Sequence, residues 1–153
     1  MLNGMRKLIN KIKQKYGLPV VWYRCNIYKT AKIGKNVSIG SDTEVGPGVI
    51  IRKNTRIQAK CFIPKGVYIG EDCFIGPGVI FTNDKNPPSG ECAATLINDG
   101  VSIGANSTIL PGIVIDKNVT IGAGSVVTTD LPANTICYGN PARVARIKSA
   151  KKS

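Results

Sequence analysis

The chain has 153 residues, 42% of them hydrophobic and 20% charged, which suits a single buried core and leaves no room for two separate active-site domains. It contains no histidine, so a Ser-His-Asp or Cys-His arrangement, a histidine general base and a histidine-built zinc site are all excluded. Lys and Arg number 21 against 9 acids, a net charge of +12, and this points to an anionic partner: a nucleotide, a coenzyme, a nucleic acid or an acidic membrane.

In chain order, Met1, Met5, Leu8, Ile9, Ile12 and Tyr16 recur at helical spacing among Arg6, Lys7, Lys11, Lys13 and Lys15. They predict an amphipathic helix over residues 1–16, within a lead-in spanning 1–24. Its expected role is to cover an open end of the fold or to pack on a neighbouring subunit, with attachment to an acidic membrane the lesser alternative.

A six-residue step then governs the chain. From Ile33 it passes through Ile39, Val45, Ile51, Ile57, Ile63, Ile69, Ile75 and Phe81, and after a break it resumes at Ile97, Ile103, Ile109, Ile115, Ile121 and Val127. Four residues after each of these stands a small or β-branched residue almost throughout, for example Val37, Thr43, Val49, Thr55, Cys61 and Val67. Gly follows the apolar residue at Gly34, Gly40, Gly46, Gly70, Gly76, Gly104 and Gly122, where a tight corner needs a residue without a Cβ. Six is neither the 3.6 of a helix nor a simple alternation, and hexapeptide repeats of this kind are the signature of a parallel β-helix. An all-β coil over 25–129 is therefore expected. Three units to a turn give about five turns stacked at about 4.8 Å.

Residues 82–96 leave the six-step and are predicted to project as a loop. The step stops again near Asp130-Leu131-Pro132, and the terminal segment 130–153 carries Arg143, Arg146, Lys148, Lys151 and Lys152 with no further acid. The five cysteines are odd in number and never in a CxxC arrangement, so reduced and mostly buried thiols are expected. No apolar run approaches the length of a membrane span and no secretory leader is visible, so a cytoplasmic location is expected. Nine aromatic residues without a stacking array, and no nucleic-acid motif, argue against nucleic acid as the anionic partner.

The repeats, with Ile121-Gly-Ala-Gly-Ser-Val-Val127 and Tyr138-Gly-Asn-Pro-Ala-Arg143, resemble the left-handed β-helix, hexapeptide-repeat acyltransferases. The run Val79 to Pro87, then Gly90-Glu91, Thr95 and Gly100 to Gly112, is similar to the branch that N-acetylates nucleotide-linked amino deoxysugars for surface-polysaccharide synthesis. That resemblance implies a homotrimer using acetyl-CoA and no metal, with the coenzyme between adjacent prisms and the sugar near the loop. It implies Gly104, Ala105, Gly122 and Ala123 beside the pantetheine arm, and Asn140, Pro141, Ala142 and Arg143 near the adenine and phosphates. Gln58, Lys60 and Lys85 are candidates for the nucleotide-sugar. The branch has an Asn pair after the segment resembling Ile57-Gln58, where this chain has Ala59 and Lys60, so that role does not carry over.

A sugar amine with a pKa near 8 is partly neutral at cellular pH and needs no strong base, whereas a hydroxyl does, so the missing histidine favours an amine acceptor. Asp84 is the first candidate to hold or deprotonate the ammonium, with Asn83 orienting and Glu91 as second choice. The alternatives are an O-acetyltransferase using a carboxylate base, and a non-catalytic β-helix that binds nucleotides.

Overall fold

The computed structural model describes residues 2–149, and within them the chain winds into a parallel β-solenoid with three faces. Most rungs are only two residues long, as in Ser38–Ile39, Glu44–Val45 and Ile50–Ile51, one for each face of a single turn. Each pairs in parallel with the rung one turn on: Ser38 with Arg56, Glu44 with Phe62, Ile50 with Tyr68. The eighteen-residue offset of these pairs is three hexapeptides, so the sequence period and the ladder register are one fact.

The first face carries seven parallel strands, from Val20–Val21 to Thr135–Gly139, the second six and the third five, with Leu131 bridged to Ile115 as the start of a sixth. The coil is thus longer than the five turns expected and passes both ends of the 25–129 span. Val21 and Ile27 continue the six-step backwards from Ile33. Beyond Val127 one corner is two residues short, so Ile121 pairs with Cys137. The break in the repeat is an insertion: Phe81 pairs with Ile109, ten residues beyond the regular register. The loop itself ends at Ala94 rather than 96, because Thr95–Ile97 pairs with Val67–Ile69 on the third face.

Both inward positions of each unit fill the interior, with Ile39, Ile63, Ile75, Phe81, Ile97 and Ile109 fully buried. Apolar burial at about 25 cal/mol per Å² makes this column the main stabilising term. The buried hydroxyls have partners: Thr55 Oγ1 donates to Gly70 O at 2.8 Å and accepts from Cys73 N at 3.1 Å. Among the described residues no buried side-chain nitrogen or oxygen is without a hydrogen bond.

Two kinds of corner residue divide the work that the sequence reading gave to one kind of glycine. Nearly every corner has one residue in the left-handed region, filled by Gly, Asn or Asp at Asn36, Asp42, Gly48, Asn54, Gly78 and Gly124, but by Arg24 and Lys60 at two places. Gly104 and its counterparts after the apolar residue are not in that region. There a Cβ is excluded by the next turn, since on Gly104 it would lie 2.4 Å from Ala123 N.

The helix α1 spans Leu2–Lys15 and ends in a Schellman arrangement: Gly17, at φ 66°, donates to Gln14 O, and Leu18 N donates to Lys13 O at 2.9 Å. Asn36 N donates to Gly17 O, tying this cap to the coil. Met1, Lys151 and Lys152 lie outside the described residues, as do the side chains of Met5 and Arg6. All five cysteines are free thiols; Cys61, Cys73 and Cys137 are buried, Cys25 half-buried and Cys92 exposed. Burial pushes the Cys61 and Cys73 thiols up, which leaves them poor nucleophiles.

Candidate active site

The inserted loop leaves the corner between the second and third faces and is organised by Asp84. Its Oδ1 accepts from Asn86 N at 3.0 Å and Ser89 Oγ at 2.6 Å, and its Oδ2 accepts from Ser89 N at 2.7 Å and Gly90 N at 3.1 Å. A carboxylate has about four lone-pair positions, and all are taken. The Ser89 hydroxyl bond, assisted by the three backbone N–H groups, holds the Asp84 carboxyl below the usual carboxylate range against a smaller opposing effect of desolvation. Asp84 is therefore a weak base held by its own loop. Its sequence-based role as proton acceptor has no free lone pair to work with.

Asn83 closes the neck of the loop. Its carbonyl accepts from Ala93 N at 2.9 Å, and its Nδ2 donates to Cys92 Sγ at 3.4 Å. Between this neck and the corner Leu110–Ile113 lies a cavity of about 520 Å³ lined by Asn83, Asp84, Lys85, Pro87, Leu110 and Thr128 among others. Polar groups on the loop side and Leu110, Pro111 and Ile113 on the coil side suit a ligand with a polar edge and an apolar face. Glu91 is exposed and does not line this cavity, so the second-choice base is not at the site.

Gly104, Ala105, Gly122 and Ala123 lie on a different edge, the corner between the first and second faces, stacked turn on turn. The two glycines have no free backbone groups to offer. Gly104 N donates to Ile121 O and Gly122 N to Cys137 O, while Ser107 Oγ donates to Gly104 O at 2.9 Å and Ser125 Oγ to Gly122 O at 2.6 Å. The alanines differ: Ala105 N and both backbone polar groups of Ala123 have no hydrogen bond among the described residues. Open backbone groups on this edge thus sit one residue later than the glycines that allow the turns to stack.

Above them Thr135–Gly139 turns back antiparallel through Asn140 and Pro141 into Ala142–Ile147. Ala142 is buried and belongs to the core, so of the four residues expected near the adenine its side chain is unavailable. Asn140, Pro141 and Arg143 are exposed; Arg143 Nη1 donates to Ala142 O at 2.9 Å. Tyr138 pairs with Arg143 across the hairpin and is 59% exposed. It was not among the sequence candidates, although it occupies the post-apolar position that Gly122 holds one turn below.

Gln58 and Lys60 share this edge, with Gln58 two turns, about 10 Å, below Gly104. The structure thus brings Asn83, Asp84 and Lys85 together at one corner, and Gln58, Lys60, Ala105, Ala123 and Asn140 along another. The second face separates the two groups within one chain. Among the described residues no three His, Cys, Asp or Glu side chains cluster as metal ligands.

Residues 48–83 and 94–129 match the family model for bacterial transferase hexapeptide (six repeats), and residues 30–65 match that for the hexapeptide repeat of succinyl-transferase. Together these matches cover more than half of the chain, which belongs to the hexapeptide-repeat transferase family. It is 52% identical over 50 residues to the dTDP-3-amino-3,6-dideoxy-alpha-D-galactopyranose 3-N-acetyltransferase of Aneurinibacillus thermoaerophilus, a match covering 33% of this chain and 26% of the relative. The chain therefore spans about a quarter of that relative's length.

PerB of Caulobacter crescentus, solved with CoA and GDP-perosamine, aligns at TM-score 0.75 and 18% identity over 94% of this chain and 66% of that one. A point mutant of AntD, an N-acyltransferase of Bacillus cereus solved with dTDP-4-amino-4,6-dideoxyglucose and CoA, aligns at TM-score 0.77 and 23% identity over 87% and 82%. At these identities the structural likeness establishes the fold.

Proposed function

We propose that this chain is an acetyl-CoA-dependent N-acetyltransferase that acts on the amino group of a nucleotide-linked amino deoxysugar, in the cytoplasm, for surface-polysaccharide synthesis. The observation that carries the choice of acceptor is the saturated carboxylate of Asp84 at the cavity of a chain without histidine. No group lining that cavity is fit to deprotonate a sugar hydroxyl. An amine that enters neutral needs no such group, because its lone pair is already available. Likeness to an amino-sugar N-acetyltransferase over 50 residues supports the same reading.

The amine nitrogen attacks the thioester carbonyl of acetyl-CoA, and the carbon–sulfur bond breaks as the amide forms. The leaving thiolate takes up the proton that the nitrogen loses, so no protein base enters the balance. Asp84 fixes the loop, and its negative charge favours an amino group at the cavity mouth. Asn83 and Lys85 hold the polar side of the sugar nucleotide. Acetyl-CoA lies along the edge of Ala105 and Ala123, whose open backbone groups meet the pantetheine amides, with Tyr138 and Arg143 at the adenine and phosphate end. Gln58 and Lys60, lower on that edge, meet the nucleotide of the acceptor.

Because the acceptor cavity and the coenzyme edge sit on different corners, a complete site needs the corner of one copy beside the loop of another, as a homotrimer provides. The test is CoA release from acetyl-CoA with paired nucleotide-sugars, amino against hydroxy at the same carbon, with the product mass measured. Turnover of the amine alone is expected. Turnover of the hydroxyl sugar overturns the assignment, and intact acetyl-CoA binding without turnover of either favours a non-catalytic nucleotide-binding coil.

A further inference from the structure

The first acid in the chain is Asp42. Before it stand nine cations, Arg6, Lys7, Lys11, Lys13, Lys15, Arg24, Lys29, Lys32 and Lys35, so most of the net charge of +12 sits at the start of the coil. That end also exposes an unusual amount of apolar and aromatic surface. On α1, Leu8 is 58% and Ile12 48% exposed, and beside the helix Tyr16, Leu18, Trp22, Tyr23 and Tyr28 are exposed too. Among the described residues a cavity of about 560 Å³ lies between the helix and the first turn, with Ile9 and Lys13 on one side and Val21, Trp22 and Cys25 on the other. The expectation that α1 covers the open end is therefore only partly met.

From this juxtaposition we propose that the N-terminal end of the coil, made by α1 with Trp22, Tyr23 and Tyr28, docks the protein on an anionic lipid surface. Leu8 and Ile12 share the outward helix face, and Lys11 and Lys15 stand beside it, so aliphatic groups enter the interface while ammonium groups reach lipid phosphates. Trp and Tyr favour the same depth because each has an apolar ring and a polar edge. A second copy seated on this surface would bring two strongly cationic patches face to face, since the adjoining acid Asp42 is already paired with Arg24 at 2.7 Å, and this opposes self-association. The Schellman cap presents the helix already formed, so little ordering cost is left for binding. Attachment is peripheral, since no described helix is long and apolar enough to cross a membrane. The proposal is independent of the acetyl-transfer reading.

Trp22 is the only tryptophan of the chain, so its emission reports on this surface alone. The full chain is to be titrated with vesicles of phosphatidylcholine containing about 30 mol% phosphatidylglycerol and with pure phosphatidylcholine vesicles, with flotation as a second readout. A blue shift of Trp22 and co-flotation with the anionic vesicles are expected, at least about tenfold stronger than with neutral ones and weakened by added salt. Lys11→Glu with Lys15→Glu should cost more than about tenfold in binding, and Leu8→Ser with Ile12→Ser should abolish the blue shift; circular dichroism checks the coil in each. Absence of binding to the anionic vesicles at low salt overturns the proposal. So does equal binding to neutral vesicles, or a blue shift that grows with protein concentration without lipid, which assigns the surface to a second copy.

Discussion

Gly104 and Gly124 look alike in sequence, and the coil uses them for opposite reasons. A Cβ on Gly104 would meet Ala123 N at 2.4 Å, backbone that cannot move without opening the stack. A Cβ on Gly124 meets nothing within 4 Å, but the residue sits at φ 69°. Gly104→Ala should lower stability by about 1–3 kcal/mol through overpacking, and Gly124→Ala by about 1 kcal/mol through backbone strain alone. Thermal unfolding of the two variants checks the order. Lys60 has the reverse problem, being a long side chain at φ 61° where neighbouring corners use Gly, Asn or Asp. Lys60→Asn should raise stability by about 1 kcal/mol. If the ammonium meets the nucleotide-sugar, the same variant raises KM for that substrate, and a gain in Tm with unchanged KM would leave Lys60 without a binding role.

The inserted loop is the element whose chemistry the sequence left open, and the reason is local. Asp84 reads as a group to hold or deprotonate the ammonium, with Asn83 orienting and Lys85 binding substrate, but an Asp followed by Asn86, Ser89 and Gly90 is also a loop anchor, and only the folded loop shows all four of its acceptor positions filled. Its folded pKa lies below the ordinary value of 3.8, so the bonds it makes are fully present above that value and are lost only as pH falls through the lower folded one. Turnover should therefore show no ionisation from Asp84 near neutrality and should rise with pH through the acceptor amine, near 8. Asp84→Asn keeps one carbonyl acceptor and, in either orientation, places an amide NH2 against at least one backbone N–H group. It should raise KM for the sugar severalfold while kcat falls by less than about tenfold, whereas loss of a general base costs about 10²–10⁴ in kcat. Steady-state kinetics from pH 6 to 9 separate the two.

At the scale of the whole molecule, the cavity proposed for the acceptor and the edge proposed for the coenzyme lie on different corners of the prism. Two variants, Lys85→Glu at the loop and Ala123→Phe at the edge, should each be inactive as a homo-oligomer. Mixed after co-expression they should regain turnover that neither parent shows, because some interfaces then pair an intact loop with an intact edge. Failure to complement, with mixed assemblies confirmed by mass, would place the whole site within one copy.

The six-residue step specified the architecture unaided, because in a parallel coil the period that buries side chains is also the period that pairs strands, and both are carried by local residue type. Phe81 and Ile109 fall in line by that rule despite the insertion between them. The same step continued to Val21, Ile27 and, after a short corner, Cys137, so the extra length was legible at one end and hidden at the other by two missing residues. The missing histidine likewise fixed what the chemistry had to do without. Side-chain orientation and saturation came only with the tertiary structure. That Ala142 is buried, that the Gly104 and Gly122 carbonyls are taken by the Ser107 and Ser125 hydroxyls, and that Asp84 has no lone pair left are consequences of the folded coil or of loop geometry. So is the open, basic and aromatic end of the coil, since a helix pattern states which face is apolar but not whether anything covers it.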